Sequence, residues 1–154
     1  MRDSTAKGLQ EGNGMKAEVF LPDDYSPAED EPFMNDRQLE YFRRKLINWK
    51  EDLLSDGKDT IEHLQDHTGN IPDVADRASE ETDRALELRT RDRQRKLVGK
   101  IDQALRRIDE GEFGYCSVTG EPISLKRLDA RAIATMSLEA QERHERREKI
   151  HRDD

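Results

Sequence analysis

The sequence predicts a mainly α-helical protein, in which a long antiparallel helical hairpin stands on a small globular base. Only 32% of the residues are hydrophobic and 40% are charged, which is too little apolar surface for a large spherical core. Apolar residues nevertheless recur at helical spacing in two segments of similar length. The turn-forming stretch HTGNIPDVAD separates them, and helices joined by a short turn pack antiparallel.

Residues 1–33 are predicted to form a flexible tail, because they are rich in Gly, Pro, Asp and Glu and lack helical periodicity. Local docking is expected through Val19, Phe20 and Leu21. The start of the chain has no apolar run, so we expect no signal peptide. No segment approaches the roughly 18 apolar residues of a membrane helix. A cytoplasmic protein without membrane contact is therefore expected.

The first helix is predicted over about residues 36–67, with Asn35 or Asp36 as its N-cap. Its apolar residues are spaced alternately by three and four positions, which is the heptad pattern of a coiled coil. These residues are Leu39, Phe42, Leu46, Trp49 and Leu53. Further along, the same positions become polar, so the seam is strong at the base and weak toward the tip. The helix is about 45 Å long.

Turn residues follow the first helix, namely Gly69, Asn70 and Pro72. Asp73 or Asp76 can cap the second helix, and Gly111 is expected to end it. The coiled-coil hairpin is thus predicted over residues 34–110, with its tip near residues 68–78.

Residues 111–154 are expected to form the base. Short strand-like pieces alternate with turns there, and a polar helix follows from residue 137 to about 150.

Charge is segregated along the hairpin. Residues 62–83 contain seven acids and one base, whereas residues 84–107 contain nine bases and three acids. The hairpin therefore has an acidic tip and a basic shaft. A solvated helical face is the simpler interpretation of any single charge, but solubility alone does not require like charges to cluster. The net charge of -8 disfavours sequence-specific DNA binding.

Asp73 and Asp76 lie three positions apart beside the predicted turn. Either one can serve simply as a helix cap. Alternatively, a long rigid rod can carry both carboxylates into a narrow channel of a partner. There they would perturb a bound divalent metal ion, which prefers oxygen ligands.

Several long motifs carry a resemblance to a known family, namely PDVADRASEETDRALELRTRDRQRKLVGKI, DEGEFGYC and RLDARAIA. They resemble the DksA branch of the DksA/TraR family, over about Met34 to Lys149. The resemblance implies a monomer whose coiled coil enters the secondary channel of bacterial RNA polymerase. The effector residues of the family tip, two aspartates and an alanine, match Asp73, Asp76 and Ala78.

The resemblance also implies a zinc site with four cysteines in two C-x-x-C pairs. The matching positions here are Cys116, Thr119, Ser137 and Ala140, so one thiolate remains of the four that a structural zinc site uses. We therefore expect a degenerate zinc-finger-like segment without zinc. Packing of apolar side chains is expected instead, from Phe113, Tyr115, Val118, Ile123, Leu125, Leu128, Ile133, Met136 and Leu138.

Cys116 is the only cysteine of the chain, so it forms no internal disulfide. It is either a redox-active thiol or, as is more usual, a small buried core residue. No neighbour in the sequence suggests a lowered pKa for its thiol. His63 and His67 are four apart, but no third metal ligand accompanies them.

The family helps to bind the alarmone guanosine tetraphosphate at its interface with the polymerase. The matching positions are Leu97, Lys100 and Arg131, with Arg93 close by on the helix. Arg and Lys suit polyphosphates through charge and hydrogen bonding. A further lysine of the family is replaced by Gln141, and Arg143 is a candidate to compensate for it.

The sequence thus indicates a regulator without enzymatic activity, which acts with guanosine tetraphosphate on promoter initiation in the stringent response. Two alternatives stay open. A transcript-cleavage factor would use the same channel, with acids that chelate a catalytic magnesium ion. A helical adaptor or chaperone would show no preference for polymerase.

Overall fold

The structure is a computed structural model that describes residues 18–66 and 74–152 of the 154-residue chain. It contains four helices within these ranges: α1 (Asp36–Asp66), α2 (Val74–Glu110), α3 (Leu125–Ala130) and α4 (Leu138–Arg152). Helices α1 and α2 pack along each other as a hairpin, and the remaining elements surround its base. The predicted fold class is confirmed.

The direction of the hairpin is visible in its cross-helix ion pairs. They are Arg43 with Asp109 at 2.7 Å, Lys50 with Asp102 at 2.6 Å, and His63 with Glu87 at 3.2 Å. As the residue number rises along α1, that of the partner falls along α2, so the two helices are antiparallel. None of the helices in the described ranges is both long enough and apolar enough to cross a membrane.

Two helix ends have the caps that the sequence predicts. The backbone N–H of Gln38 donates to Oδ1 of Asn35 at 2.9 Å, so Asn35 caps α1. Gly111 follows the last residue of α2 with a φ of 76°, a left-handed conformation that glycine adopts without steric cost.

The hydrophobic core lies at the base of the hairpin. Phe42 and Leu46 of α1 and Ile101 of α2 have no exposed surface, and Ile123 and Leu128 are equally buried beneath them. Of the apolar residues expected to fill the base, Phe113, Ile123, Leu125, Leu128 and Ile133 are buried and Met136 is partly buried. Tyr115 is 36% exposed and packs through its ring contact with Phe33. The expectation was wrong for Val118 and Leu138, which are exposed.

Helix α3 replaces part of the expected strand-like segment. In the described residues of the base, β-pairing is limited to one isolated antiparallel bridge between Tyr115 and Pro122. Ser124 caps α3, since its Oγ accepts a hydrogen bond from the Arg127 backbone N–H at 3.2 Å. Both buried leucines of α3, Leu125 and Leu128, are three positions apart. That spacing places them on one face of a helix, whereas in a strand they would point to opposite sides.

Residues 18–35 contact the base, although the composition predicts a tail. Gln38 is fully buried, and its Nε2 donates to the carbonyl oxygen of Ala28 at 3.2 Å. The ring of Tyr25 meets that of Tyr41 edge to face, with 6.0 Å between centroids. The expected docking of Phe20 was wrong, since 77% of this residue is exposed. The rest of the expected tail, residues 1–17, lies outside the described part of the chain.

Two neighbouring residues connect this segment to the finger-like part of the base. The rings of Phe33 and Tyr115 lie 5.4 Å apart between centroids. Met34 packs over Gly114, where a Cβ atom would stand 2.9 Å from Cε of Met34. Gly114 also has a φ of 89°, so both its backbone and its neighbour favour glycine.

Candidate functional site

The described part of the predicted tip consists of the first turns of α2. Asp76 and Ala78 lie there, and both are exposed. Helix α2 begins at Val74, so Asp76 lies inside its first turn and is not its N-cap. A carboxylate in this position interacts favourably with the positive end of the helix dipole. Asp73 lies outside the described residues, so the structure describes only Asp76 of the expected pair of carboxylates.

On the α2 side, the half-buried residues in the outer half of the hairpin are polar. On α2, Glu87, Arg91 and Gln94 are half-buried at positions that face α1. Oε1 of Gln94 is buried, and no hydrogen-bond partner for it exists within the described residues. This oxygen lies opposite Gly57 of α1, where a Cβ atom added to the glycine would stand 3.9 Å from it. The apolar seam therefore ends near Leu53 and Leu97, as the sequence predicts.

A basic cavity of about 360 Å³ lies at the base, where α2 meets α3, α4 and the loop between them. It brings together Lys100, Arg131 and Gln141, three of the positions assigned to the alarmone from the resemblance. The complete lining is Lys100, Gln103, Ala104, Arg107, Phe113, Arg127, Arg131, Ile133, Ala134, Thr135, Met136 and Gln141. It includes four cationic side chains and no carboxylate.

Two residues of the predicted alarmone set lie outside this cavity. Leu97 packs against the hydrophobic core, and Arg93 is exposed further out on α2. Arg143, the candidate to compensate for Gln141, is also absent from the lining; its Nε donates to the carbonyl oxygen of Glu139 at 3.4 Å.

Sequence reasoning missed two arginines of the cavity, Arg107 and Arg127. Arg107 follows Lys100 by seven positions, so helical spacing alone places them on the same face of α2. That signal was present in the sequence. Arg127 reaches the cavity because residues 125–130 form the helix α3. The sequence predicted strand-like pieces in this segment, so it gave no reason to place Arg127 there.

Cys116 is buried, as the simpler interpretation predicts. Burial by itself raises the pKa of its thiol, but hydrogen bonds from the Thr119 hydroxyl and the backbone N–H groups of Ser137, Thr119 and Val118 lower it to about 6. The sequence alone carried no signal for this lowered pKa. These donors converge only in the folded base, where Ser117 N also bonds the carbonyl oxygen of Thr135 at 2.8 Å.

The four positions that match the family's zinc ligands do meet, but they do not fit a zinc ion. Cys116 contributes the only thiol. Oγ of Ser137 accepts a hydrogen bond from the backbone N–H of Ala140 at 3.3 Å, and Ala140 has no ligand atom. Thr119 already hydrogen-bonds the thiol. Within the described ranges, no group of three or more His, Cys, Asp and Glu side chains is suited to hold a metal ion.

The fold and these sites define a protein with a long helical hairpin on a finger-like base. The chain belongs to the DksA/TraR family. The family description "DnaK suppressor protein DksA, N-terminal domain" matches residues 38–108. A second description, "Prokaryotic dksA/traR C4-type zinc finger", matches residues 111–146, although three of the four cysteines are absent here.

Similar proteins support the same assignment. Over 131 residues the chain is 70% identical to the RNA polymerase-binding transcription factor DksA of Caulobacter vibrioides (strain NA1000 / CB15N). The alignment covers 85% of this chain and 92% of the relative. The protein of the same name from Escherichia coli (strain K12) is 40% identical over 147 residues, or 92% and 97% of the two chains.

The solved structure of transcription factor DksA2 from Pseudomonas aeruginosa superimposes with a TM-score of 0.70. It is 40% identical and covers 76% of this chain and 90% of that one. The hairpin and its base are thus shared with a solved relative.

Proposed function

We propose that this chain is a regulator that binds RNA polymerase, inserts its hairpin tip into the secondary channel and modulates promoter initiation. The observation that carries the proposal is the placement of Asp76: an exposed carboxylate in the first turn of α2, at the end of the hairpin away from the core. The names of relatives with 70% and 40% identity support polymerase as the partner.

The division of the hairpin suits this function. The buried base fixes the direction of both helices, while the outer half offers carboxylates on a slender rod. Asp73, Asp76 and Ala78 would act near the polymerase active site, where acidic side chains influence a divalent metal ion. The shaft and the base would hold the protein on the rim of the channel. Regulation then requires no catalytic group of the chain's own, so the protein is not an enzyme.

Guanosine tetraphosphate is proposed as the co-regulator, in the stringent response. The basic cavity supports this role, because Lys100 and Arg131 face one space without a competing carboxylate. The protein would act in the cytoplasm as a monomer, without membrane contact and without sequence-specific binding to DNA. Leu97 and Arg93 remain proposed contacts at the interface, outside the cavity itself.

Replacement of Asp76 by asparagine tests the role of the tip. We expect Asp76→Asn to abolish regulation of a ribosomal RNA promoter in transcription in vitro, with polymerase affinity within a few fold of the parent. The matched control is Asp83→Asn, the same change at an exposed site further along α2. Full regulation by Asp76→Asn would contradict the tip mechanism. Loss of binding would make Asp76 an anchor.

A transcript-cleavage factor is the second candidate function, because acids at the tip could also chelate a catalytic magnesium ion. Incubation of a backtracked polymerase complex with the protein separates the two, since we expect no shortening of the nascent RNA. A helical adaptor or chaperone is the third. It would retain other proteins as well as polymerase in a pull-down, whereas we expect selective retention of polymerase.

Independence from zinc is part of the proposal, since a structural zinc site wants four strong ligands and this one has a single thiolate. We expect a chelator to leave the melting temperature and the transcriptional activity unchanged. Cys116→Ser is expected to cause only a modest loss of stability, because the serine hydroxyl can accept the hydrogen bonds that the thiol receives from Thr119 and the backbone. Near-stoichiometric zinc in the purified protein, together with unfolding on chelation, would overturn this part of the proposal.

A further inference from the structure

We propose that Arg107 and Arg127 complete the phosphate-binding site of the basic cavity and supply the positive charge that Gln141 lacks. The inference rests on the proposed role of this cavity and deepens it, because it names residues of this chain that bind the ligand. The ligand class is a nucleotide that carries several phosphate groups.

The cavity carries positive charge without a matching negative charge. Lys100 and Arg107 come from α2, Arg127 from α3, and Arg131 follows α3 directly. None of the ion pairs within the described residues involves these four side chains. By contrast, Arg43, Lys45 and Lys50 of α1 each pair with a carboxylate. Four unpaired cations around one space are electrostatically unfavourable until an anion joins them.

Backbone carbonyl groups hold the two arginines in place. Nε of Arg127 donates to the carbonyl oxygen of Met136 at 2.9 Å. Nη2 of Arg107 donates to the carbonyl oxygen of Tyr115 at 2.8 Å. Each guanidinium has five N–H donors, so both retain donors for a ligand. A guanidinium fixed in this way loses little side-chain entropy when it binds phosphate.

Gln141 lines the cavity but contributes no positive charge to it. Its Nε2 donates to Oε1 of Glu145 at 2.9 Å, so its amide is engaged by a neighbour on α4. It is neutral, whereas the family has a lysine at the matching position. Arg143 does not line the cavity, which leaves Arg107 and Arg127 as the cations beyond the matched pair Lys100 and Arg131.

The experiment measures how promoter regulation by the protein with polymerase depends on the concentration of guanosine tetraphosphate. We expect Arg107→Gln to raise the half-maximal concentration about ten-fold, since a charge-assisted hydrogen bond contributes a factor of about ten or more. The readout is the ratio of regulation with and without the alarmone, because loss of the hydrogen bond from Arg107 to the carbonyl oxygen of Tyr115 also lowers stability. The matched control is Arg106→Gln, which removes the same charge from the adjacent, exposed residue outside the cavity.

Arg127 needs a separate design, because its contact with Met136 also supports the loop before α4. Arg127→Gln should weaken the alarmone response, and Arg127→Lys, which restores the charge, should recover part of it. A purely structural role would lower the melting temperature of both variants equally and would give no recovery. That result would overturn the assignment for Arg127.

Lys100→Ala distinguishes this inference from the proposed function. If Lys100→Ala weakens the alarmone response while Arg107→Gln behaves like Arg106→Gln, the cavity binds the alarmone without Arg107, and the inference for Arg107 fails alone. If neither Lys100→Ala nor Arg131→Ala changes the response, the proposed alarmone function fails. Weaker polymerase binding by Arg107→Gln in the absence of alarmone would make it a docking contact and would also overturn the inference.

Discussion

The inner half of the hairpin, at the base, and its outer half are built from the same two helices, α1 and α2. They differ in the side chains that lie between these helices. At the base, Phe42, Leu46 and Ile101 are fully buried. In the outer half, the α2 residues that face α1 are Glu87, Arg91 and Gln94, and leucines such as Leu86 are more than half exposed. Stability is therefore concentrated at one end of the rod, and exposed charge at the other.

This division shows how a chain with so few apolar residues can be both folded and functional. Apolar burial contributes roughly 25 cal/mol per Å² of surface removed from water, so the clustered side chains of the base supply most of that stabilisation. The tip is then free to carry carboxylates that no core could accommodate. Three changes would break or sharpen the contrast.

The largest effect is expected from truncation of a base residue. Phe42→Ala should lower the free energy of unfolding by about 3–5 kcal/mol, because the ring is fully buried and packs on Phe113 with 5.4 Å between centroids. The matched control in the outer half is Leu86→Ala, where 55% exposure limits the loss to about 0.5 kcal/mol. Urea unfolding measures both. Equal losses would mean that the outer half has a core of its own.

A gain of stability is expected at the boundary between the two regions. Gln94→Leu should raise the free energy of unfolding by about 1 kcal/mol, because it removes a buried carbonyl oxygen that lacks a hydrogen-bond partner in the described structure. Gln103→Leu, the same change at an exposed site of α2, should give no gain. A loss of stability in Gln94→Leu would show that its amide specifies the helix contact.

The smallest effect concerns a polar contact at the base. Hydrogen bonds from Lys45 and then from Tyr41, both at 2.7 Å, hold the pKa of Asp129 below its usual value. Because the folded-state pKa is the lower one, this contribution is present above the unfolded-state value of about 3.9 and is lost as the pH falls through the folded-state value.

Asp129→Asn should therefore cost less than about 1 kcal/mol at pH 7, since the group is partly exposed, and less still at low pH. Unfolding midpoints in urea at neutral pH and near pH 3 measure the difference. Asp83→Asn on the outer half is the control. A cost for Asp129→Asn that grows on acidification would contradict the sign of the pKa shift.

Periodicity predicted the hairpin because it is a local property of the sequence. The spacing from Leu39 to Leu53 predicted α1 and its buried face. Asn35 marked the start of α1, and Gly111 marked the end of α2. The fading of the seam beyond Leu53 was also visible as a change from apolar to polar residues. These features require only neighbours within a few positions.

The base was harder to predict because its contacts join distant parts of the chain. Helix α3 has six residues, which is too short a segment to show helical periodicity clearly in the sequence. Similarly, Arg127 enters the cavity, and Ser137 N reaches the Cys116 thiol, only after the loops have closed. The matched positions Lys100 and Arg131 came from a resemblance, and the structure brings them into one cavity.

The contact between Met34 and Gly114 has a consequence for the order of folding. The two residues are 80 positions apart in the sequence, yet a single added methyl group at Gly114 would collide with Met34. During synthesis α1 and α2 can pair as soon as both have emerged, whereas residues 33–34 must wait for the finger-like segment. Contacts at such separation are slow to form, so we expect the base to close last. Until then, the apolar side chains of Phe33 and Met34 would be exposed to water just before α1.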